Sequence, residues 1–217
     1  MRFLCFHGRG TNAEIFKIQT ASLRSALGSD HEFVFINGGF SVTDIPGLNA
    51  PNASQIRDRR AFVPLEEDPR VYHSIISELR AFILSKGPFD GLMGFSEGAG
   101  LAATIAAENS KRPFAKLRSI ILFCSQDAIA LESNPVRTLD PEIDGQLVDM
   151  PSTHIWSTSD NVASERPYKV SCLFNEDVRE IVVHNLGHDI PGSRSETGMG
   201  ETVIAIERTI ERGKQFQ

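Results

Sequence analysis

A serine flanked by two glycines lies where an apolar run gives way to a run of small residues. Positions 94–98 are Gly-Phe-Ser-Glu-Gly, preceded by a predicted strand and followed at once by a predicted alanine-rich helix. In this context a Gly-x-Ser-x-Gly sequence is typical of a nucleophile elbow, a turn so tight that a Cβ on either side of the serine would strike neighbouring backbone. A serine hydroxyl is a weak nucleophile, so Ser96 needs a base from elsewhere in the chain.

The base is expected late in the chain, because this arrangement orders its residues serine, acid, histidine. His188 follows the last predicted strand in the sequence Asn-Leu-Gly-His-Asp-Ile-Pro-Gly. A loop histidine with a glycine before it can reach over the elbow. His184 is the alternative, but it lies within the strand itself, where a ring is more often packed or paired.

The acid is expected after the preceding strand. Asp160 follows the strand 153–157 in a small polar turn, where it can hold the histidine tautomer and stabilise the imidazolium. Asp160 can also act only as a helix cap. Asp127, which follows an earlier strand, is the alternative acid. Asp189 is adjacent to His188 and is badly placed for an in-line pairing.

The negative oxygen of a tetrahedral intermediate needs two fixed donors. One is expected to be the backbone N–H of Glu97, the residue after the nucleophile. The other is assigned to the backbone N–H of Arg9, because the first strand runs into His-Gly-Arg-Gly, a loop of the esterase oxyanion type. We expect His7 to brace this loop through side-chain hydrogen bonds.

The elements that must position these groups alternate between strand and helix along the chain. This pattern predicts an α/β fold with a mainly parallel twisted sheet of about six strands and helices on both faces. The predicted strands are 2–6, 32–37, 91–95, 118–124, 153–157 and 180–184. The predicted helices are one from the cap Asn12 through Leu27, one over 72–83, one from Ser96 to about Asn109, one over 165–174 and one over 200–212.

Two stretches rich in proline and glycine interrupt this alternation. They span 38–70 and 125–151, and each follows a predicted strand. Long irregular segments in a compact domain are usually lids or binding loops. We therefore expect both at the carboxyl edge of the sheet beside Ser96, within a single domain over 1–217.

Composition limits the function classes. The 217 residues carry a net charge of −6 with no basic block, which argues against a nucleic-acid partner. Three cysteines without a Cys-x-x-Cys sequence favour reduced core residues. The sequence shows no secretory signal and no apolar run of membrane-spanning length, so a cytoplasmic location without membrane attachment is expected. No cofactor and no metal are expected.

The opening Phe-Leu-Cys-Phe-His-Gly-Arg-Gly-Thr-Asn-Ala-Glu-Ile-Phe, the elbow Gly-Phe-Ser-Glu-Gly-Ala and the ending Gly-His-Asp-Ile-Pro together resemble the fungal family of serine hydrolases. That family has the α/β-hydrolase fold without its outermost early strands. Its members include thioesterase-like acyl hydrolases of secondary-metabolite gene clusters, such as trans-acting thioesterases that release polyketides of the lovastatin type. The resemblance implies a triad of Ser96, Asp160 and His188, and loops that hold a linear, mostly apolar acyl chain.

The expected activity is therefore hydrolysis of an ester or thioester, with a small-molecule acyl substrate or an acyl carrier protein of a polyketide synthase as the partner. Candidate acyl-binding residues are Phe40 and Ile45, in the segment 38–70, and Ile190 beside the base. Three alternatives stay open. They are a general carboxylesterase, a catalytically idle binding module of the same fold, and a metal hydrolase that uses His7, His184, His188 and Asp160 as ligands.

Overall fold

A six-stranded parallel sheet forms the centre of the molecule. The computed structural model describes residues 1–43, 58–64, 69–133 and 135–216. The strands of the sheet are β1 (Arg2–Phe6), β2 (Glu32–Ile36), β5 (Gly91–Phe95), β6 (Ser119–Phe123), β9 (Ser152–Ser157) and β10 (Arg179–His184). Their order in the sheet is β10-β9-β6-β5-β1-β2, and every neighbouring pair is parallel. The predicted fold class is confirmed, and the strand bounds agree with the prediction to within one residue at each end.

The register places the carboxyl ends of these strands side by side. Phe6 lies opposite Gly94, Phe95 opposite Phe123, and His184 opposite Ser157. Parallel strands in such a sheet carry their ligands and catalytic groups at this edge. The residues that follow β1, β5, β6, β9 and β10 therefore meet at one edge of the sheet.

Helices cover both faces of the sheet. The helices are α1 (Ala13–Gln19), α2 (Ala21–Ala26), α3 (Pro69–Lys86), α4 (Glu97–Lys111), α5 (Pro141–Asp144), α6 (Arg166–Ser171) and α7 (Met199–Gln215). One core cluster contains residues of α3, α4 and α6, and the other contains residues of α1, α2 and α7. The inner strands β1, β5 and β6 are buried on both sides, which explains their nearly continuous apolar sequences. The edge strands β2 and β10 are only partly buried.

The helix predicted from Asn12 through Leu27 is interrupted at Thr20. Asn12 caps its start, because its side chain accepts the backbone N–H of Ile15. At Thr20 the backbone leaves the helical region (φ −95°, ψ 3°), and the hydroxyl donates to the Phe16 carbonyl oxygen at 2.8 Å. A threonine hydroxyl that binds the preceding turn competes with the backbone ladder, so two short helices replace one.

The two irregular segments contain short strand pairs where they are described. In the first, β3 (Phe40–Ser41) pairs with β4 (Arg60–Ala61), and in the second, β7 (Ile129–Ala130) pairs with β8 (Arg137–Thr138). Among the described residues, no helix is both long enough and apolar enough to cross a membrane.

Candidate active site

The turn that carries Ser96 is sterically tight. Ser96 lies between β5 and α4 with φ 55° and ψ −118°, a left-handed conformation that costs energy for any residue with a Cβ. A Cβ at Gly94 would lie 2.6 Å from Cα of Ala99, and a Cβ at Gly98 would lie 2.5 Å from the His7 carbonyl oxygen. Glycine is therefore required on both sides, as the sequence pattern predicts.

Ser96, His188 and Asp160 form one hydrogen-bonded chain. The Ser96 hydroxyl lies 2.9 Å from Nε2 of His188, and Nδ1 of His188 lies 2.7 Å from Oδ2 of Asp160. The ring of Phe95 packs against the His188 ring with a centroid distance of 4.9 Å. Gly187 has φ 70°, which glycine adopts without strain, so the residue before His188 allows the loop to turn toward the elbow.

Asp160 uses both carboxylate oxygens. Its other oxygen, Oδ1, accepts the backbone N–H groups of Val162 at 2.8 Å and Ala163 at 2.9 Å. Burial opposes ionisation of this carboxyl, but the hydrogen bond from His188 and those two N–H groups outweigh it, so the pKa of Asp160 lies below its ordinary value. The Asp160 side chain thus remains a carboxylate at neutral pH, and it both caps the following turn and holds the histidine.

The alternative residues lie in other interactions. His184 accepts the N–H of Leu186 on Nδ1 at 3.1 Å, and its Nε2 finds no partner among the described residues. Asp127 forms an ion pair with Arg166 at 3.0 Å. The structure therefore brings neither His184 nor Asp127 into the hydrogen-bonded chain of Ser96.

Asp189 also has its own partners. Its carboxylate accepts the N–H of Ile190 at 2.9 Å and the hydroxyl of Ser193 at 2.7 Å, and it pairs with Arg194 at 2.8 Å. These contacts stabilise the turn that follows His188. The ring of His188 hydrogen-bonds to the Asp160 carboxylate and not to that of Asp189.

The loop after β1 lies directly against the elbow. A Cβ at Gly8 would meet the Phe95 ring at 2.8 Å and Cβ of Ser96 at 3.3 Å. His7 braces the loop, because one ring nitrogen lies 2.8 Å from the Gly8 carbonyl oxygen and the other accepts the Gly38 N–H at 3.0 Å. Burial lowers the pKa of His7 to about 4, so the ring is neutral and can accept on one nitrogen while it donates from the other.

The backbone hydrogen bonds of the described residues use neither the N–H of Arg9 nor that of Glu97. Glu97 is the first residue of α4, where an N–H has no acceptor within the helix. Gly8, which precedes Arg9, lies against Ser96, and Glu97 directly follows Ser96. The role of these two N–H groups as oxyanion donors stays a prediction.

The side chains of the same two residues form an ion pair. Arg9 Nη2 lies 2.6 Å from Oε1 of Glu97, and Oε2 of Glu97 accepts the Phe62 N–H at 2.8 Å. Burial raises the pKa of Glu97 above its ordinary value, while the Arg9 guanidinium and the backbone N–H groups oppose that rise. The contact from Phe62 was not predictable from the sequence, because any residue except proline can supply a backbone N–H.

The thiol of Cys124 lies close to Asp160 and His188. Cys124, with φ 45°, donates from Sγ to the Asp189 carbonyl oxygen at 3.5 Å, and its sulfur, an Asp160 oxygen and a His188 nitrogen lie within 4.8 Å of one another. Burial and the nearby Asp160 carboxylate raise the pKa of Cys124 well above its ordinary value. The thiol of Cys124 therefore stays protonated at neutral pH.

The three residues suggested for acyl binding lie in different environments. Phe40 is half-buried in β3 and packs against the core cluster that contains α3 and α4. Ile190 is completely buried in the other core cluster, together with Phe95, so its position is one of packing. Ile45 lies outside the described residues. Acyl contacts by these residues stay predictions.

The chain is similar to known proteins both in sequence and in fold. The chain is 29% identical to esterase FPY3 of Fusarium mangiferae over 97% of both chains, and 28% identical to esterase FUS5 of Gibberella fujikuroi over 98% of this chain and 90% of that protein. Arabidopsis thaliana SOBER1 has a similar fold, with a TM-score of 0.61 at 14% identity over 97% of this chain and 99% of that chain. A Bacillus cereus carboxylesterase has a TM-score of 0.61 at 17% identity, covering 97% and 87%.

The family model described as serine hydrolase (FSH1) matches residues 1–199. That match covers most of the chain, including the elbow and the sequence around His188. The protein therefore belongs to the FSH1 family of serine hydrolases and is a hydrolase enzyme.

Proposed function

We propose that the protein hydrolyses carboxylic ester or thioester bonds by nucleophilic catalysis through Ser96, His188 and Asp160. The observation that supports the proposal best is the unbroken chain of hydrogen bonds at 2.9 Å and 2.7 Å that joins the three side chains. Nδ1–H of His188 donates to Asp160, which leaves Nε2 free to accept the proton of the Ser96 hydroxyl.

Acylation begins when Ser96 Oγ attacks the carbonyl carbon of the substrate while His188 takes the hydroxyl proton. The carbonyl oxygen becomes an oxyanion, which accepts hydrogen bonds from the backbone N–H groups of Arg9 and Glu97. The bond to the leaving thiol or alcohol then breaks, and His188 gives its proton to that group. Asp160 stays ionised throughout and stabilises the imidazolium.

Deacylation repeats these steps with water. His188 removes a proton from water, the hydroxide attacks the acyl carbon, and a second oxyanion forms on the same two N–H groups. The ester bond to Ser96 breaks, His188 returns the proton to Oγ, and the carboxylic acid leaves. No cofactor is needed for either half of the cycle.

For the substrate we propose a thioester of a linear, mostly apolar acyl chain of polyketide type, carried by a carrier protein. Its support is the family resemblance of the elbow and of the loop at His188. The second candidate is a small oxygen ester, which the printed names of the relatives, esterase FPY3 and esterase FUS5, favour. The net charge of −6 means that an acidic carrier protein would need a local basic patch on this enzyme.

The test of the catalytic proposal is the variant Ser96→Ala with p-nitrophenyl butyrate, together with labelling by a fluorophosphonate probe. We expect kcat to fall by about a thousandfold or more, and the probe to label Ser96 of the wild type, as identified by peptide mass spectrometry. Wild-type protein that is not labelled would instead indicate an idle binding module, and turnover retained by Ser96→Ala would refute nucleophilic catalysis.

The substrate proposal needs a matched pair of compounds. A pantetheine thioester and an oxygen ester of the same acyl chain should be compared by kcat/KM. A clear preference for the thioester supports the thioesterase, and a preference for the oxygen ester supports the carboxylesterase.

A further inference from the structure

The two residues that supply the proposed oxyanion donors are also joined by their side chains. The Arg9 guanidinium lies 2.6 Å from the Glu97 carboxylate, and only 24% of the Arg9 side chain and 11% of the Glu97 side chain are exposed. An ion pair this well shielded from water interacts more strongly than a surface pair. Because the pair lies beside the proposed nucleophile, its charges affect the energy of the proposed reaction.

Glu97 places a carboxylate one residue after Ser96. The proposed reaction builds a second negative charge, the oxyanion, close to the same residue. In a site from which water is excluded, two negative charges repel each other strongly. An uncompensated Glu97 carboxylate would therefore raise the energy of the transition state that the Glu97 N–H is meant to stabilise.

The backbone of 60–64 covers the ion pair. The Glu97 carboxylate accepts the Phe62 N–H at 2.8 Å, and the Arg9 guanidinium donates to the Val63 carbonyl oxygen. The Arg60 carbonyl oxygen accepts the Gly10 N–H at 2.8 Å, which holds this segment against the loop after β1. The segment thus shields the two charges from water and fixes the guanidinium over the carboxylate.

We propose that Arg9 is a positioning residue that neutralises Glu97, so that the oxyanion forms beside a balanced ion pair and not beside a free negative charge. The proposal rests on the proposed function, since it needs the oxyanion to form next to Glu97. It differs from a purely structural role, in which Arg9 only fastens the segment 60–64. If Arg9 acts through its charge, the effect of replacing it on kcat depends on the charge of Glu97. If Arg9 only holds the segment 60–64 in place, that effect depends on the contacts of Arg9.

The test compares Arg9→Met with the double variant Arg9→Met/Glu97→Gln, using the uncharged substrate p-nitrophenyl butyrate. Arg9→Met removes the counter-ion, and burial then favours the neutral form of Glu97, so kcat is measured as a function of pH into the alkaline range. Where the carboxylate is ionised and uncompensated, we expect kcat to fall on the order of tenfold relative to the wild type, with a smaller change in KM, a loss below that of removing an oxyanion donor itself. The double variant has no charge at either position and should recover most of the lost kcat. If the double variant is as slow as Arg9→Met, the charge role is wrong.

The variant Arg9→Lys provides a second test that does not depend on Arg9→Met being well folded. It keeps the positive charge but cannot reproduce the guanidinium contacts with both Glu97 and Val63. We expect its kcat to stay within about threefold of that of the wild type, because the charge that neutralises Glu97 is retained. A fall of about tenfold or more in folded Arg9→Lys would show that the contacts matter and would overturn the proposal.

The control is Arg212→Met. Arg212 pairs with Glu180 at the same distance, 2.6 Å, but at the amino end of β10, away from Ser96. Its kcat should equal that of the wild type, and melting temperatures show whether each variant is folded. If the fluorophosphonate probe labels Ser96 of the wild type while the double variant shows no recovery, then this inference fails and the proposed function stands.

Discussion

Oδ2 of Asp160 lies 2.7 Å from Nδ1 of His188, while the other oxygen of the same carboxylate accepts two backbone N–H groups of the next turn. The sequence allows two roles for Asp160, a triad acid and a helix cap. The carboxylate geometry fits the first, but its other oxygen caps the turn 161–165 and not a helix, because α6 begins at Arg166 with Glu165 as its N-cap. The turn therefore fixes the orientation of the oxygen that faces His188.

This relationship predicts a large effect of Asp160→Asn on activity. An amide at this position can keep the contacts with Val162 and Ala163 through its oxygen, but it then presents N–H groups to Nδ1 of His188. That arrangement favours the wrong tautomer, and kcat should fall by about 10⁴-fold, the scale of the same change in a serine protease triad. The measurement is kcat for p-nitrophenyl butyrate, with the melting temperature as a check of folding.

Asp127→Asn is the matched control for that change. Asp127 is partly exposed and pairs with Arg166, and a surface ion pair contributes little to stability. We expect kcat within about twofold of the wild type, since surface substitutions away from the site have small effects. If Asp127→Asn were the more damaging variant, the assignment of the acid would have to be reversed.

The two late histidines allow a similarly matched test. In His184→Asn the amide oxygen can still accept the Leu186 N–H that Nδ1 accepts in the wild type, so most of the activity should remain. In His188→Asn the base is lost, and kcat should fall by about a thousandfold or more. The fluorophosphonate probe should label Ser96 more slowly in His188→Asn than in His184→Asn. Faster labelling of His188→Asn would contradict the assignment of the base.

The fold could be predicted because buried parallel strands have a simple sequence. The run Gly91–Phe95 is buried at every position. Periodicity alone does not separate such a run from a buried helix, but its short length and the turn residues on both sides favour a strand. The elbow was predictable for a related reason: a Cβ at Gly94 or Gly98 has no space, so the glycines carry the geometry in the sequence itself.

Other structural features leave no recognisable pattern in the sequence. Thr20 interrupts a helix through its own hydroxyl, yet threonine also occurs within uninterrupted helices. The Phe62 N–H that binds Glu97 belongs to the backbone, so any residue except proline could supply it. Ile190 is apolar and two residues after His188, but its type does not distinguish a core position from a pocket wall. The structure places it in the core.

The close approach at Gly98 predicts that Gly98→Ala damages both stability and activity. The new Cβ would lie 2.5 Å from the His7 carbonyl oxygen, so the loop that carries Arg9 has to move away from Ser96. Overpacking of this kind costs about 1–3 kcal/mol, and a displacement of about 1 Å at a catalytic site can lower the rate about 100-fold. Urea unfolding and kcat measure the two effects.

Gly200→Ala is the control for the glycine change. Gly200 is exposed in the first turn of α7, and a Cβ there would meet nothing within 4 Å. Alanine forms helices better than glycine, so the free energy of unfolding should rise by up to about 1 kcal/mol with kcat unchanged. Equal losses in both variants would mean that the tight contact at Gly98 is not the cause.

The buried ring of His154 predicts a specific loss of stability in mild acid. His154 is in β9, its Nε2 lies 3.0 Å from the Ser152 hydroxyl, and its Nδ1 has no partner among the described residues. Burial lowers the pKa of His154 to about 3, whereas an unfolded histidine has a pKa of about 6.5. Between these values the unfolded chain binds a proton that the folded chain does not, so stability falls as the pH decreases below about 6.5.

The variant His154→Leu removes this titration and keeps a buried side chain of similar size. Between pH 7.5 and pH 5.0 the wild type should lose about 2 kcal/mol more of its free energy of unfolding than the variant does. Urea unfolding at the two pH values measures the difference, and the other buried histidines contribute equally to both proteins. Equal losses in the two proteins would show that His154 becomes protonated in the folded state, and that its burial does not hold the ring neutral.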